Sequence, residues 1–133
     1  MSQATFEFSS HTENLAKVRA FVRAFLDAEG VPLRASELLA LGVDEACSNV
    51  IRHAYNQDFT QPISLSCERV EQTIRFRLRD FGNQADAAQF NRRPPEAVEP
   101  GGLGLYLIER IFDETVYTPQ AVGTELILVK HLI

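Results

Sequence analysis

The amino-acid sequence predicts an α+β two-layer sandwich, with a mixed, mostly antiparallel sheet and helices on one face. Three observations carry this prediction. Two long segments, Leu15 to Phe25 and Leu38 to Ala54, place apolar residues at helical spacing. Two short segments, Ile63–Cys67 and Thr73–Leu78, alternate apolar and polar residues as a half-buried hairpin does. Strands and helices also fail to alternate along the chain as a doubly wound parallel sheet requires.

Taken in order, Ala4 to Phe8 alternate as a first strand. Ser9, Ser10 and Thr12 then offer N-cap oxygens ahead of a helix carrying Leu15, Val18, Phe21, Val22 and Phe25. Gly30 closes that helix and Pro32 follows. Ser36 to Tyr55 forms a second helix through Leu38, Leu39, Val43, Ala46, Val50 and Ala54, and Asn56 to Pro62 is a polar connection to the hairpin. From Asn83 to Pro100 three prolines and several charges leave no periodicity, which predicts a long loop of the lid or binding kind. Leu103 to Phe112 reads as a helix, Thr115 to Thr118 as a short strand, and Gly123 to Lys130 as a final strand with an apolar centre.

With 133 residues, the chain suffices for a single domain, 1–133, that buries roughly 65 to 70% of its unfolded surface. A net charge of −5 argues against a domain that coats phosphate backbones, so no direct nucleic-acid partner is expected. No apolar stretch is long enough to cross a bilayer, and no membrane association is expected. Cys47 and Cys67 have neither metal-ligand nor redox spacing and read as ordinary small residues. The opening Met-Ser-Gln lacks a basic segment and apolar run, which reads as a cytoplasmic protein.

Glu45 and Asn49 are four apart on the second helix and project from one face. A carboxylate and an amide oxygen together can hold a hard cation and orient a nucleophile, although such a pair taken alone is more often a solvated helix face. Asp80 ends a strand two residues before Gly82, where a buried carboxylate can accept a hydrogen bond from an exocyclic amine. A plain strand-end turn is the alternative. Gly101, Gly102, Leu103, Gly104 and Leu105 lie between the long loop and a helix, where backbone N–H groups can face phosphates or where a helix can simply pack close to a sheet. No Lys-Ser or Lys-Thr follows these glycines and the dinucleotide fingerprint is incomplete, which excludes a P-loop and a Rossmann motif. Asp80-Phe81-Gly82 spells a kinase metal-binding tripeptide, but no strand Lys after a Gly-rich loop and no His-Arg-Asp loop accompany it.

The order Glu45, Asn49, Asp80, Gly82, glycine cluster, Gly123-Thr124 resembles the N-box, glycine boxes, lid and terminal Gly-Thr of the GHKL (Bergerat-fold) ATPases. Val43-Asp-Glu-Ala-Cys-Ser-Asn-Val-Ile-Arg-His-Ala-Tyr and Gly101-Gly-Leu-Gly-Leu-Tyr-Leu-Ile are similar to the bacterial anti-sigma factor serine kinases, and Phe112-Asp-Glu-Thr-Val with the final strand extends the likeness over nearly the whole chain. The resemblance implies a Bergerat ATP-binding fold using ATP and Mg2+. Asn49 would ligate the metal and Glu45 would act as base or orient the nucleophile. Asp80 would read adenine with help from Thr124, while Gly82, Gly102 and Gly104 would shape the pocket and lid. Arg52, one turn after Asn49, can reach a phosphate, and Arg92 and Arg93 lie in the expected lid. His53 is expected to pack against the sheet. One departure is Gln84, where the first glycine box commonly has a second glycine, and it puts lid motion and turnover in question.

Three functions follow. The first is a protein-serine kinase and anti-sigma factor that phosphorylates an anti-sigma-factor antagonist, sequesters a sigma factor and, by resemblance, forms a homodimer. The second is a non-catalytic nucleotide-binding regulatory module of a partner-switching system. The third, the catalytic half of a histidine kinase, lacks room for a dimerisation helix pair presenting a phospho-accepting His.

Overall fold

The computed structural model describes residues 2–83 and 103–132, with side chains from residue 106 onward in the second stretch. Gln84, Arg92, Arg93, Gly101 and Gly102 therefore lie outside the described residues, as does nearly all of the expected 83–100 loop. The elements run β1 (Ser2–Ser9), α1 (Asn14–Ala28), α2 (Leu33–Asn49), a π-helical turn (Val50–Ala54), β2 (Pro62–Val70), β3 (Thr73–Asp80), α3 (Leu103–Ile111), β4 (Glu114–Pro119) and β5 (Thr124–His131).

The five strands form one sheet in the order β1-β2-β3-β5-β4. Each of the four pairings is antiparallel, so the described sheet is more uniform than the mixed one expected. Side chains alternate between its faces. Phe8, Ile63, Leu65, Cys67, Ile74, Phe76, Leu78, Leu126 and Leu128 are buried on one face, while their neighbours Ser64, Ser66, Arg75 and Arg77 are more exposed on the other. The buried face meets Val18, Val22 and Leu26 of α1, Leu39, Val43 and Cys47 of α2, and Ile108 and Ile111 of α3 in one core. Each fully buried Leu, Ile or Phe contributes about 1.5–3 kcal/mol. Phe76 meets Phe112 edge to face at 5.9 Å, tying the central strand to the end of α3.

Helix α1 ends in a Schellman motif, with Gly30 N–H donating to Asp27 O and Val31 N–H to Leu26 O. Its start departs from expectation. Glu13 occupies the N-cap position, and no side chain caps the helix. Ser9 instead accepts from the Asn14 side chain, and Ser10 is fully buried, donating to Asp58 O at 2.6 Å and accepting from Gln61 N–H at 3.0 Å. Ser10 thus ties the end of β1 to the loop before β2. Helix α2 starts a turn earlier than expected, behind Pro32, whose fixed φ suits a helix start. Ser36 is consequently buried inside the first turn.

The last turn of the expected second helix is π-helical, closed by Tyr55 N–H donating to Val50 O at 2.9 Å. Such widened turns occur mostly as single insertions in α-helices, often at functional sites. Here the widening follows directly after Asn49. It turns His53 to solvent, where packing against the sheet was expected.

Candidate functional site

Glu45, Asn49 and Arg52 follow i, i+4 and i+7 spacing along α2 and its π-helical extension, and all three side chains are partly buried. Arg52 Nη2 donates to Asn49 Oδ1 at 3.0 Å. Two atoms of this pair, Asn49 Nδ2 and Arg52 Nε, are buried without a hydrogen-bond partner among the described residues. Unsatisfied buried donors are costly and uncommon, and they call for an explanation. The structure thus brings Asn49 and Arg52 into contact and sets Glu45 one turn before them.

Asp80 continues the period-2 row of Ile74, Phe76 and Leu78 and so points to the helix-facing side of the sheet. It is 5% exposed. Its Oδ1 accepts from Gly82 N–H at 3.0 Å, and the backbone of Thr124, its partner across the β3–β5 ladder, also hydrogen-bonds to it. Burial pushes the carboxyl above the usual Asp range, against the pull of the Gly82 bond, the Arg79 charge and the Thr124 bond. The Gly82 bond is the ordinary strand-end turn that the sequence also allowed, but the burial goes beyond what a turn requires.

Two glycines are obligatory here. A Cβ on Gly82 would lie 2.3 Å from Ala54 O, and one on Gly123 would lie 2.0 Å from Asp80 O, with Gly123 also at φ 77. Both leave the backbone on either side of Asp80 free to approach its neighbours. Gly82 brings the end of β3 against the π-helical turn, where Asn83 N–H donates to Ala54 O at 2.7 Å.

Tyr55 completes the junction and is absent from the sequence-predicted set. Its hydroxyl accepts from Phe81 N–H at 2.8 Å and donates to Pro62 O. One buried phenol therefore links the end of the π-helical turn, the start of β2 and the end of β3. A tyrosine at the close of an apolar helix, within a few residues of a polar loop, is the only sequence signal for it.

Leu103, Gly104 and Leu105 form the first turn of α3, as expected of a helix start, while Gly101 and Gly102 precede it outside the described residues. Cys47 and Cys67 are both buried free thiols. Burial raises both, Cys67 to about 12, so neither is a thiolate nucleophile.

The donor set suits a hard cation that arrives with phosphates. No group of three or more His, Cys, Asp or Glu side chains gathers among the described residues. Asn49 Oδ1 offers one oxygen, and Mg2+ commonly takes one or two protein ligands together with waters and substrate phosphates. The buried, unpartnered nitrogens beside that oxygen are cationic or amide donors, which phosphate oxygens can satisfy.

An antiparallel sheet covered on one face by three helices, with a buried strand-end Asp beside an Asn-bearing helix, defines an ATPase fold of the histidine-kinase type. The family model described as the histidine kinase-like ATPase domain matches residues 8–130, and the chain belongs to that family, within the GHKL ATPases. It is 29% identical over 132 residues to an anti-sigma F factor of Anoxybacillus flavithermus, covering 95% of this chain and 90% of that protein. It is 32% identical over 104 residues to the serine-protein kinase RsbW of Bacillus subtilis, covering 72% of this chain and 64% of the kinase. Among solved structures, the RsbU and RsbW domains of a Mycobacterium tuberculosis protein superpose with a TM-score of 0.73 at 17% identity, over 98% of this chain and 32% of that one. A histidine kinase domain from Erythrobacter litoralis gives 0.62 at 14% identity, over 94% of this chain and 62% of that one. At these identities the two superpositions speak for the fold alone.

No helix among the described residues is long and apolar enough to span a membrane.

Proposed function

We propose that residues 1–133 act as one ATP-binding domain, a protein-serine kinase and anti-sigma factor. It phosphorylates an anti-sigma-factor antagonist and alternatively sequesters a sigma factor. The observation that carries the nucleotide reading is Asp80, a carboxylate 5% exposed at the end of the central strand. Fixed by two backbone groups, it has capacity left to accept a hydrogen bond from the exocyclic amine of adenine. The relatives named anti-sigma F factor and serine-protein kinase RsbW support the choice of partners and of serine as the phosphate acceptor.

In this reading Asp80 orients the base, with Gly82 and Thr124 holding its carboxylate. Asn49 holds the metal through Oδ1, and Arg52 faces the phosphates. Bound Mg2+ supplies charge neutralisation on the phosphoryl oxygens. Glu45, one turn from Asn49, accepts the serine proton or orients the hydroxyl for attack. Phosphoryl transfer needs chiefly such positioning and charge stabilisation. Gly101, Gly102, Leu103, Gly104 and Leu105 offer backbone N–H groups toward the phosphates at the start of α3. The protein works as a cytoplasmic homodimer whose partners are proteins.

Calorimetric titration with ATP, with and without Mg2+, tests the site. Wild type should bind, Asp80→Asn should lose binding, and Asn49→Ala should lose the benefit of Mg2+. No binding by wild type in either condition sinks the ATPase reading. Gln84 in the first glycine box favours a second reading, a regulatory module that binds nucleotide without transferring phosphate. Labelled ATP and a candidate antagonist separate the two: phosphoserine on the partner supports the kinase, and binding without transfer supports the module.

A further inference from the structure

The Arg52–Asn49 contact sets two requirements against each other, and this inference rests on the ATP reading above. A hard cation at this site needs Asn49 Oδ1, yet that oxygen already accepts from the Arg52 guanidinium at 3.0 Å. Rotating the amide offers no escape, because it would turn the NH2 group toward a cationic donor. A guanidinium and a divalent cation on one oxygen repel each other unless an anion lies between them.

Arg52 also differs from the arginines that pair with carboxylates in this fold. Arg19 pairs with Asp44, Arg75 with Glu68 and Arg77 with Glu125. Among the described residues no carboxylate pairs with Arg52, and its Nε is buried without a partner. A partly buried cation with spare donors is suited to an anion, and a phosphate can take two parallel N–H bonds from its planar fork.

We propose that Arg52 is a latch on the metal ligand. In the nucleotide-free protein its guanidinium covers Asn49 Oδ1. A polyphosphate draws the guanidinium onto its own oxygens, which satisfies Nε and uncovers Oδ1. The cation position is thereby completed only when nucleotide is present, and metal without nucleotide finds its protein ligand occupied by a positive charge. The alternative is that Arg52 holds Asn49 in place permanently, as a structural brace.

The two roles predict different outcomes for Arg52→Gln. ATP affinity is measured by calorimetry with Mg2+ and with EDTA, and Mg2+ is titrated without nucleotide, for wild type, Asn49→Ala, Arg52→Gln and Arg52→Lys, with thermal unfolding checking that each variant is folded. Under the latch, Arg52→Gln loses a charge-assisted contact and weakens metal-free ATP binding about tenfold or more. The same change frees Oδ1 in the nucleotide-free protein, so Mg2+ titrated without nucleotide binds Arg52→Gln more tightly than wild type, while the gain in ATP affinity on adding Mg2+ is kept because nucleotide already uncovers Oδ1 in wild type. Arg52→Lys keeps a charge for the phosphate and retains more metal-free affinity than Arg52→Gln. Asn49→Ala loses the Mg2+ gain. If Arg52→Gln instead shrinks the Mg2+ gain toward that of Asn49→Ala, Arg52 is a brace and the latch is overturned. Unchanged metal-free affinity in Arg52→Gln overturns it as well, because the guanidinium then never reaches the phosphates. Failure of wild type to bind ATP in either condition is a different result, and it removes the nucleotide reading together with the latch.

Discussion

At the Asp80 end of the site, backbone N–H groups are matched to acceptors: Gly82 to Asp80 Oδ1, Phe81 to the Tyr55 hydroxyl and Asn83 to Ala54 O. At the Asn49 end, less than two helical turns from Ala54, two buried nitrogens have no partner among the described residues. The first region is finished by folding, and in the proposed site the second is finished by the nucleotide. A base-reading group must hold one geometry to discriminate, whereas groups that follow a moving phosphoryl charge gain by satisfying their donors only when substrate is present. The π-helical turn joins the two, because its Ala54 carbonyl and the Tyr55 hydroxyl behind it belong to the finished end while Arg52 belongs to the open one.

The largest effect that can break this contrast lies at the open end. Glu45→Gln should reduce phosphoryl transfer to the antagonist by about 10²- to 10⁴-fold, the usual contribution of a positioned base. ATP binding measured on the same variant should stay near wild type. Full transfer activity in Glu45→Gln would remove Glu45 from the chemistry. At the finished end the corresponding loss is in stability. Gly123→Ala combines a left-handed φ with a Cβ 2.0 Å from Asp80 O, and it should cost about 3 kcal/mol from backbone strain and overpacking together. Thermal unfolding should move down by roughly 10 °C. A shift of only a degree or two would mean that the β3–β5 junction is less rigid than its contacts indicate.

Much of the finished end was legible in the sequence. Asp80 follows Ile74, Phe76 and Leu78 at period 2, so the same alternation that builds the strand puts the carboxylate on the core face. Glu45 and Asn49 were legible from helical spacing, and Gly123 and Thr124 from their place before the last apolar strand. The π-helical turn was not legible, because Val50, Ile51 and Ala54 keep an apolar rhythm that fits an α-helix equally well. What widens the turn is tertiary: the close approach of Gly82 and the bond from Asn83, both more than 25 residues downstream. Ser10 misled for a related reason. Its hydroxyl is a good N-cap oxygen locally, yet Asp58 and Gln61 claim it across the fold.

A smaller effect tests whether Tyr55 belongs to the junction. Tyr55→Phe keeps the ring in the core but removes the acceptor for Phe81 N–H and the donor to Pro62 O. The loss should be about 1–3 kcal/mol of unfolding free energy, as for a buried group left unpaired. Nucleotide affinity should fall with it, since Phe81 adjoins Asp80. A variant as stable as wild type would show that water replaces the hydroxyl and that the phenol is incidental.

The smallest effect concerns the protonation of Asp80 and separates folding from binding. Its folded pKa is raised above the ordinary 3.8, with burial as the largest cause. Between the ordinary value and the raised one, the folded protein holds a proton that the unfolded chain has released. Stability contributed by this group is therefore full below the ordinary value and is lost as pH rises through the folded one. Asp80→Asn carries no such proton, so it should be relatively more stable than wild type at neutral pH than at acid pH. Binding should run the other way, because the ionised carboxylate is the better acceptor for an adenine amine, and wild-type ATP affinity should fall as pH drops through the raised pKa. Urea unfolding and ATP titration from about pH 4 to about pH 7.5 on both proteins measure the two slopes. Opposite slopes mean that the chain tolerates a buried charge at Asp80 for what it recognises. A wild type that gains stability over Asp80→Asn with rising pH would mean that the Gly82 and Thr124 bonds outweigh burial, and the carboxylate would then be a structural group of the junction.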